Sequence, residues 1–214
     1  ITVAFGANTK DLQVAVSDTD DALGTWKSTK FEGYAGLGLG GAIADYPTLA
    51  LDKNAVYIGT NNFAPAFSGG PQAFRGTTLN VIPLDSLFNG VSPTTTNMKQ
   101  FVTPFTGGVS DVDRGFTPQG VNSTSAGATG KVLAVSLQNF DSLAYIVNGL
   151  SPTSATGAST GSVQMLGVAS YTNPGAARQP AATVAANRRI IDALDDRISS
   201  SVYEANGRIY ALNT

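Results

Sequence analysis

Along most of the chain, hydrophobic and polar positions follow the short period of β-strands rather than the longer period of helices. Runs of aliphatic, β-branched and aromatic residues recur at LQVAV (12–16), TLAL (48–51), AVYIGT (55–60), TLNVIPL (78–84), KVLAVSL (131–137), LAYIV (143–147), SVQMLGVASY (162–171) and RIYALN (208–213). Each run is closed by Gly, Pro, Asn, Asp or Ser, the residues that end strands and build turns. The stretch 78–90 reads as a strand giving way to a loop. One segment differs: in AATVAANRRIIDALDDRI (181–198), Ile190, Ile191 and Leu194 are spaced for a helical turn, which predicts a single short helix near 185–195. Strands parted by turn signals, with at most one helix, predict an all-β domain built as a sandwich, a barrel or a propeller.

Repetition narrows that choice. DYPTLALDKNAVYIGTNNF from 45, DRGFTPQGVNSTSAGATGKVLAVSLQNF from 113 and DRISSSVYEANGRIYALNT from 196 share one layout. In each, an Asp opens a short strand, a turn with Asn or Gly follows, and a second strand returns. A hairpin repeated with one or two outer strands, such as the strand from 78, and with long inserted loops between the copies, is the plan of propeller blades.

Composition removes whole classes of chemistry. The 214 residues contain no Cys and no His, so a disulfide framework, a thiolate metal site and every Ser-His-Asp or Cys-His arrangement are excluded. Any catalysis by this chain alone would rest on carboxylates, Tyr, Lys or Arg, as in glycoside hydrolysis. A net charge of −2 leaves no basic footprint for a nucleic acid. No stretch reaches the roughly 20 apolar residues of a membrane-spanning helix. Low Lys and Arg beside abundant Gly, Ser and Thr fits a secreted, periplasmic or surface protein. The glycine run GYAGLGLGGA (33–42) lacks the Lys-Ser/Thr pair of a phosphate loop, and SPTTT (92–96) and SPTSATGASTGS (151–162) read as solvated loops. Asn122-Ser123-Thr124 has the form of an N-glycosylation sequon.

The stretch SDTDDALGTW (17–26) resembles the Asp-box turn of sialidase-like β-propellers, with Ser17, Asp20 or Asp21, Gly24 and Trp26 at the matching positions. The order of DYP, the Arg178-Gln179-Pro180 segment and the Asp195-Asp196-Arg197 hairpin is similar to that of large secreted bacterial proteins of the same type. This resemblance implies a single β-propeller domain over 1–214, or a fragment of one, with about three to four blades and an incomplete ring. It implies that Ser17, Asp20, Asp21 and Gly24 form a structural turn, with Trp26 packed between neighbouring strands. The spacing of Asp18, Asp20 and Asp21 is the one feature that points to Ca²⁺; no other cofactor is expected.

The hairpin-opening residues Asp45, Asp113, Arg114, Asp196 and Arg197 are the candidate binding set, since a propeller would bring them to the mouth of its channel. Ion pairs between adjacent blades would explain the same residues. Sialidases combine an arginine cluster with a Tyr nucleophile and a Glu partner. Here only Arg114 and Arg197 sit at suitable positions, and neither Tyr203 nor Tyr210 has a partner among the two glutamates, Glu32 and Glu204. The expected function is therefore a non-catalytic scaffold or binding module for a protein subunit or a glycan. A fragment of a sialidase-like glycoside hydrolase is the alternative.

Overall fold

The computed structural model describes residues 2–3, 11–34, 43–64, 74–94, 97–102, 116–125, 130–135, 142–146, 150, 158–160, 164–172, 175, 177–178, 190–191, 197–198 and 201–212. These residues are mostly β, with almost no helix, and they include a sheet curled like half a barrel. A three-stranded antiparallel sheet is formed by β1 (Thr2–Val3), β2 (Asp11–Ser17) and β3 (Trp26–Glu32). The second sheet contains β4 (Ile43–Asp45), β5 (Ala50–Leu51), β6 (Ala55–Phe63), β7 (Phe74–Pro83) and β8 (Lys99–Val102). Helix α1 (Leu84–Phe88) connects β7 towards β8.

The third sheet begins with β9 (Phe116–Ser123), β10 (Val132–Val135), β11 (Ser142–Ile146) and β12 (Gln164–Gly167). After a separate pair, β13 (Ala177–Arg178) with β14 (Ile190–Ile191), it is completed by β15 (Val202–Ala205) and β16 (Arg208–Tyr210). Its order is β12-β11-β10-β9-β15-β16, and β15 joins β9 in parallel.

The second sheet lies between the other two, which explains its sequence. Val56, Ile58 and Ile82 face a core shared with Leu12, Val14 and Phe31 of the first sheet. Ala55, Tyr57, Leu79 and Val81 face a core shared with Val132 and Ala134 of the third. Both faces of β6 and β7 are thus covered, and eight of the nine residues of β6 are buried. A third cluster, Phe116, Val121, Leu133, Val135, Ile198 and Val202, seats the last hairpin.

Strands β6 and β9 cross at two glycines. A Cβ on Gly59 would overlap the Pro118 carbonyl oxygen, and one on Gly120 would lie 2.7 Å from Tyr57 Cβ and 2.8 Å from Ala50 Cβ. Only hydrogen at those two positions allows the sheets to approach this closely. The Thr48 hydroxyl donates to the Pro118 carbonyl at 2.6 Å and accepts from Gly59 N–H at 3.1 Å, so the crossing is also hydrogen-bonded.

Each of the three repeated stretches contains an antiparallel pair: β5 with β6, β9 with β10, and β15 with β16. The last closes on Asn206 and Gly207, both at positive φ, as a two-residue hairpin turn requires. The described strands do not show a ring of blades, because the second and third hairpins share one sheet. Two expectations are corrected. Ile190 and Ile191 form strand β14, not part of a helix, and a short helix, α1, follows Pro83, where a loop was expected. The rest of 185–195 lies outside the described residues.

Candidate functional site

Positions from all three hairpin openings meet at Arg197. Its guanidinium carbon lies 4.2 Å from the centre of the Tyr46 ring and 5.4 Å from that of Phe116. Tyr46 follows Asp45, which ends β4 rather than opening a strand, opposite Asn61 of β6. Phe116 begins β9 and is buried, its ring centre 5.6 Å from that of Phe74. Asp113, Arg114 and Asp196 lie outside the described residues. Of the candidate set, Asp45 and Arg197 are therefore placed, both half-buried.

The backbone at this meeting point is unusual in the same way twice. Tyr46 has φ 49° and precedes Pro47; Thr117 has φ 52° and precedes Pro118. The left-handed region costs a non-glycine residue about 1–2 kcal/mol, so surrounding bonds must hold it. Asn61 does so for the second: its amide oxygen accepts from Thr117 N–H at 2.8 Å, and its amide nitrogen donates to Thr117 Oγ1 at 2.9 Å. Tyr46, Asn61, Phe116 and Thr117 were missed by sequence reasoning. The available signal was an aromatic residue within two positions of proline in both DYP and FTP.

A second side-chain bridge joins the same hairpins. Asn122 Oδ1 accepts from Leu51 N–H at 3.1 Å, and its Nδ2 donates to the Val202 carbonyl at 3.1 Å. The amide of the sequon is thus a peg linking one residue of each hairpin. Beside it, Lys131 Nζ lies 2.8 Å from each oxygen of Glu204, tying β15 to the start of β10. That hydrogen bond, ahead of the opposing effect of burial, holds the Glu204 carboxyl below its ordinary range. Tyr203 and Tyr210 are exposed, on the opposite face of the ribbon from Glu204 by strand alternation. Neither has this glutamate as a partner. Tyr34 is buried, and its phenol is pushed up to about 12, chiefly by burial and then by the Glu32 and Asp11 carboxylates.

The turn between β2 and β3 is held by its own side chains. Asp21 Oδ1 accepts from Leu23 N–H at 2.9 Å, Thr19 Oγ1 from Asp21 N–H at 3.2 Å, and the Asp21 carbonyl from Gly24 N–H at 3.0 Å. Asp18 accepts from the Thr25 hydroxyl at 2.8 Å and pairs with Lys27 at 2.9 Å, the contact that most lowers its pKa. Ser17 pairs with Trp26 across the ladder. Trp26 is 52% exposed and donates from its indole nitrogen to the Ala22 carbonyl at 3.1 Å, so it covers the turn instead of packing between strands. Asp20 is exposed in the same turn. Among the described residues, no three acidic side chains gather as a metal site would require.

No helix among the described residues is long and apolar enough to cross a membrane. Compared with protein-family models, curated proteins and solved structures, the chain matches none.

Proposed function

We propose that the chain is a non-catalytic binding module of the cell exterior, secreted, periplasmic or surface-held, which seats a protein or glycan partner where its three hairpins meet. The carrying observation is the placement of Arg197 over Tyr46 beside Phe116, with Asp45 adjacent. A planar cation stacked on aromatic rings is held in one orientation, so the seat loses little entropy on binding. The left-handed Thr117 held by Asn61, with the Thr48 bonds to Pro118 and Gly59 beside it, makes the seat rigid, as recognition requires. Three sheets packed in chain order support reading them as consecutive blades of a propeller-like body. The commitment of Glu204 to Lys131 weighs against the glycoside hydrolase alternative.

Calorimetric titration against anionic and neutral oligosaccharides and peptides, run beside hydrolysis of a fluorogenic sialoside, tests this reading. We expect saturable binding that Arg197→Ala weakens at least tenfold and Arg197→Lys weakens less, with no release of fluorophore. Turnover by the unaltered chain would replace the binding module with the hydrolase.

A further inference from the structure

The outer face of the third hairpin differs from its inner one. Val202 and Ile209 turn to the core and Glu204 to Lys131, so alternation turns Tyr203 and Tyr210 outward. The two tyrosines are direct partners across the ladder and are 57% and 55% exposed. Their Cβ atoms are therefore about 5 Å apart. Arg208, exposed, precedes Tyr210 by two positions and shares its face, and the exposed Leu212 follows by two. The tight Asn206-Gly207 turn fixes the register that creates this grouping.

Size and chemistry indicate the occupant. At these exposures each ring offers roughly 100 Å², so the whole face presents a few hundred, against about 800 Å² that a stable protein interface takes from each partner. A sugar ring suits the smaller area. Its axial C–H groups carry partial positive charge and rest on the negative face of an aromatic ring, while phenol hydroxyls meet its hydroxyl groups. A guanidinium beside the rings adds bidentate pairing with a carboxylate.

We propose that Tyr203, Tyr210 and Arg208 form a platform for a uronate-containing oligosaccharide, stacking a pyranose ring on the tyrosines with its carboxylate on Arg208. This rests on the binding-module reading and adds a second surface, on the outer side of the hairpin that follows Arg197.

The test is titration of the full chain with hexagalacturonate, with maltohexaose as the neutral probe, followed by calorimetry and the NMR signals of the tyrosine rings. We expect saturable binding of hexagalacturonate with shifts in both rings. Tyr203→Thr with Tyr210→Thr should weaken it at least tenfold, Thr being chosen because it suits a strand. The double Phe variant, which keeps both rings, should stay within about threefold, and Arg208→Gln should bring hexagalacturonate down to the level of maltohexaose. Unchanged affinity in the folded double Thr variant overturns the platform, as does absence of hexagalacturonate binding. If another ligand still binds in an Arg197-dependent way, only the platform fails. If no ligand binds in either assay, the module reading fails with it.

Discussion

Glu204 accepts two 2.8 Å contacts from Lys131, and the side chains are only 12% and 19% exposed. Such a pair is screened less than a surface one, and removing one partner leaves the other poorly solvated. Glu204→Gln should cost about 1–3 kcal/mol at neutral pH. The pH dependence follows from the lowered carboxyl. Above the unfolded value near 4.5 both states are ionised and the full contribution is present; as pH falls below it, through the still lower folded value, the contribution is lost. Urea unfolding at pH 7 and at pH 3 should therefore show a gap between parent and variant that narrows in acid. A constant gap would mean that Lys131 does not set the stability of this carboxylate. None of this was legible in sequence, because Lys131 and Glu204 stand 73 positions apart and meet only through the parallel seam of β9 with β15.

At the scale of elements, strands were legible where apolar residues recur at the β period, whether their faces are covered, as in β6 and β10, or exposed, as in β12. The run 55–60 became β6, 131–137 contains β10, and 143–147 overlaps β11. Strand β3 was missed because WKSTKFE has polar residues on both faces, an exposed ribbon held by its seven-pair register with β2. Helix α1 was missed because five residues give no helical period to detect; only Pro83 before it and Asn89-Gly90 after it marked its ends. The crossing of β6 and β9 yields a sharp test. Gly59→Ala or Gly120→Ala should destabilise by about 3 kcal/mol or more, since backbone or Cβ atoms of the facing strand must move. Gly167→Ala on β12 meets nothing within 4 Å and should change stability by less than about 0.5 kcal/mol. Thermal unfolding of the three variants separates these cases, and equal melting shifts would refute the close crossing.

At the scale of the molecule, Arg197 couples the third hairpin to the first through Tyr46 and to the second through Phe116. A double-mutant cycle of Arg197→Ala with Tyr46→Ala should return a coupling of about 1–2 kcal/mol, the range of a partly desolvated cation over an aromatic ring. Hydrogen exchange should show the amides of 202–210 and those near Tyr46 losing protection together in Arg197→Ala. Additive single variants, or loss of protection in one hairpin alone, would mean that the stack does not join them.

The sequence by itself determined the all-β class, the three hairpins and the absence of histidine and cysteine chemistry, since each depends on neighbours within a few positions or on composition alone. Tertiary structure alone decided that the second and third hairpins share a sheet, that Tyr46 and Phe116 flank Arg197, that Asn122 is a peg, and that Trp26 covers a turn. The physical reason is distance along the chain. Periodicity records which face of a strand is covered, whereas the identity of the covering strand depends on contacts between residues some 70 to 150 positions apart, such as Thr48 with Pro118 and Tyr46 with Arg197.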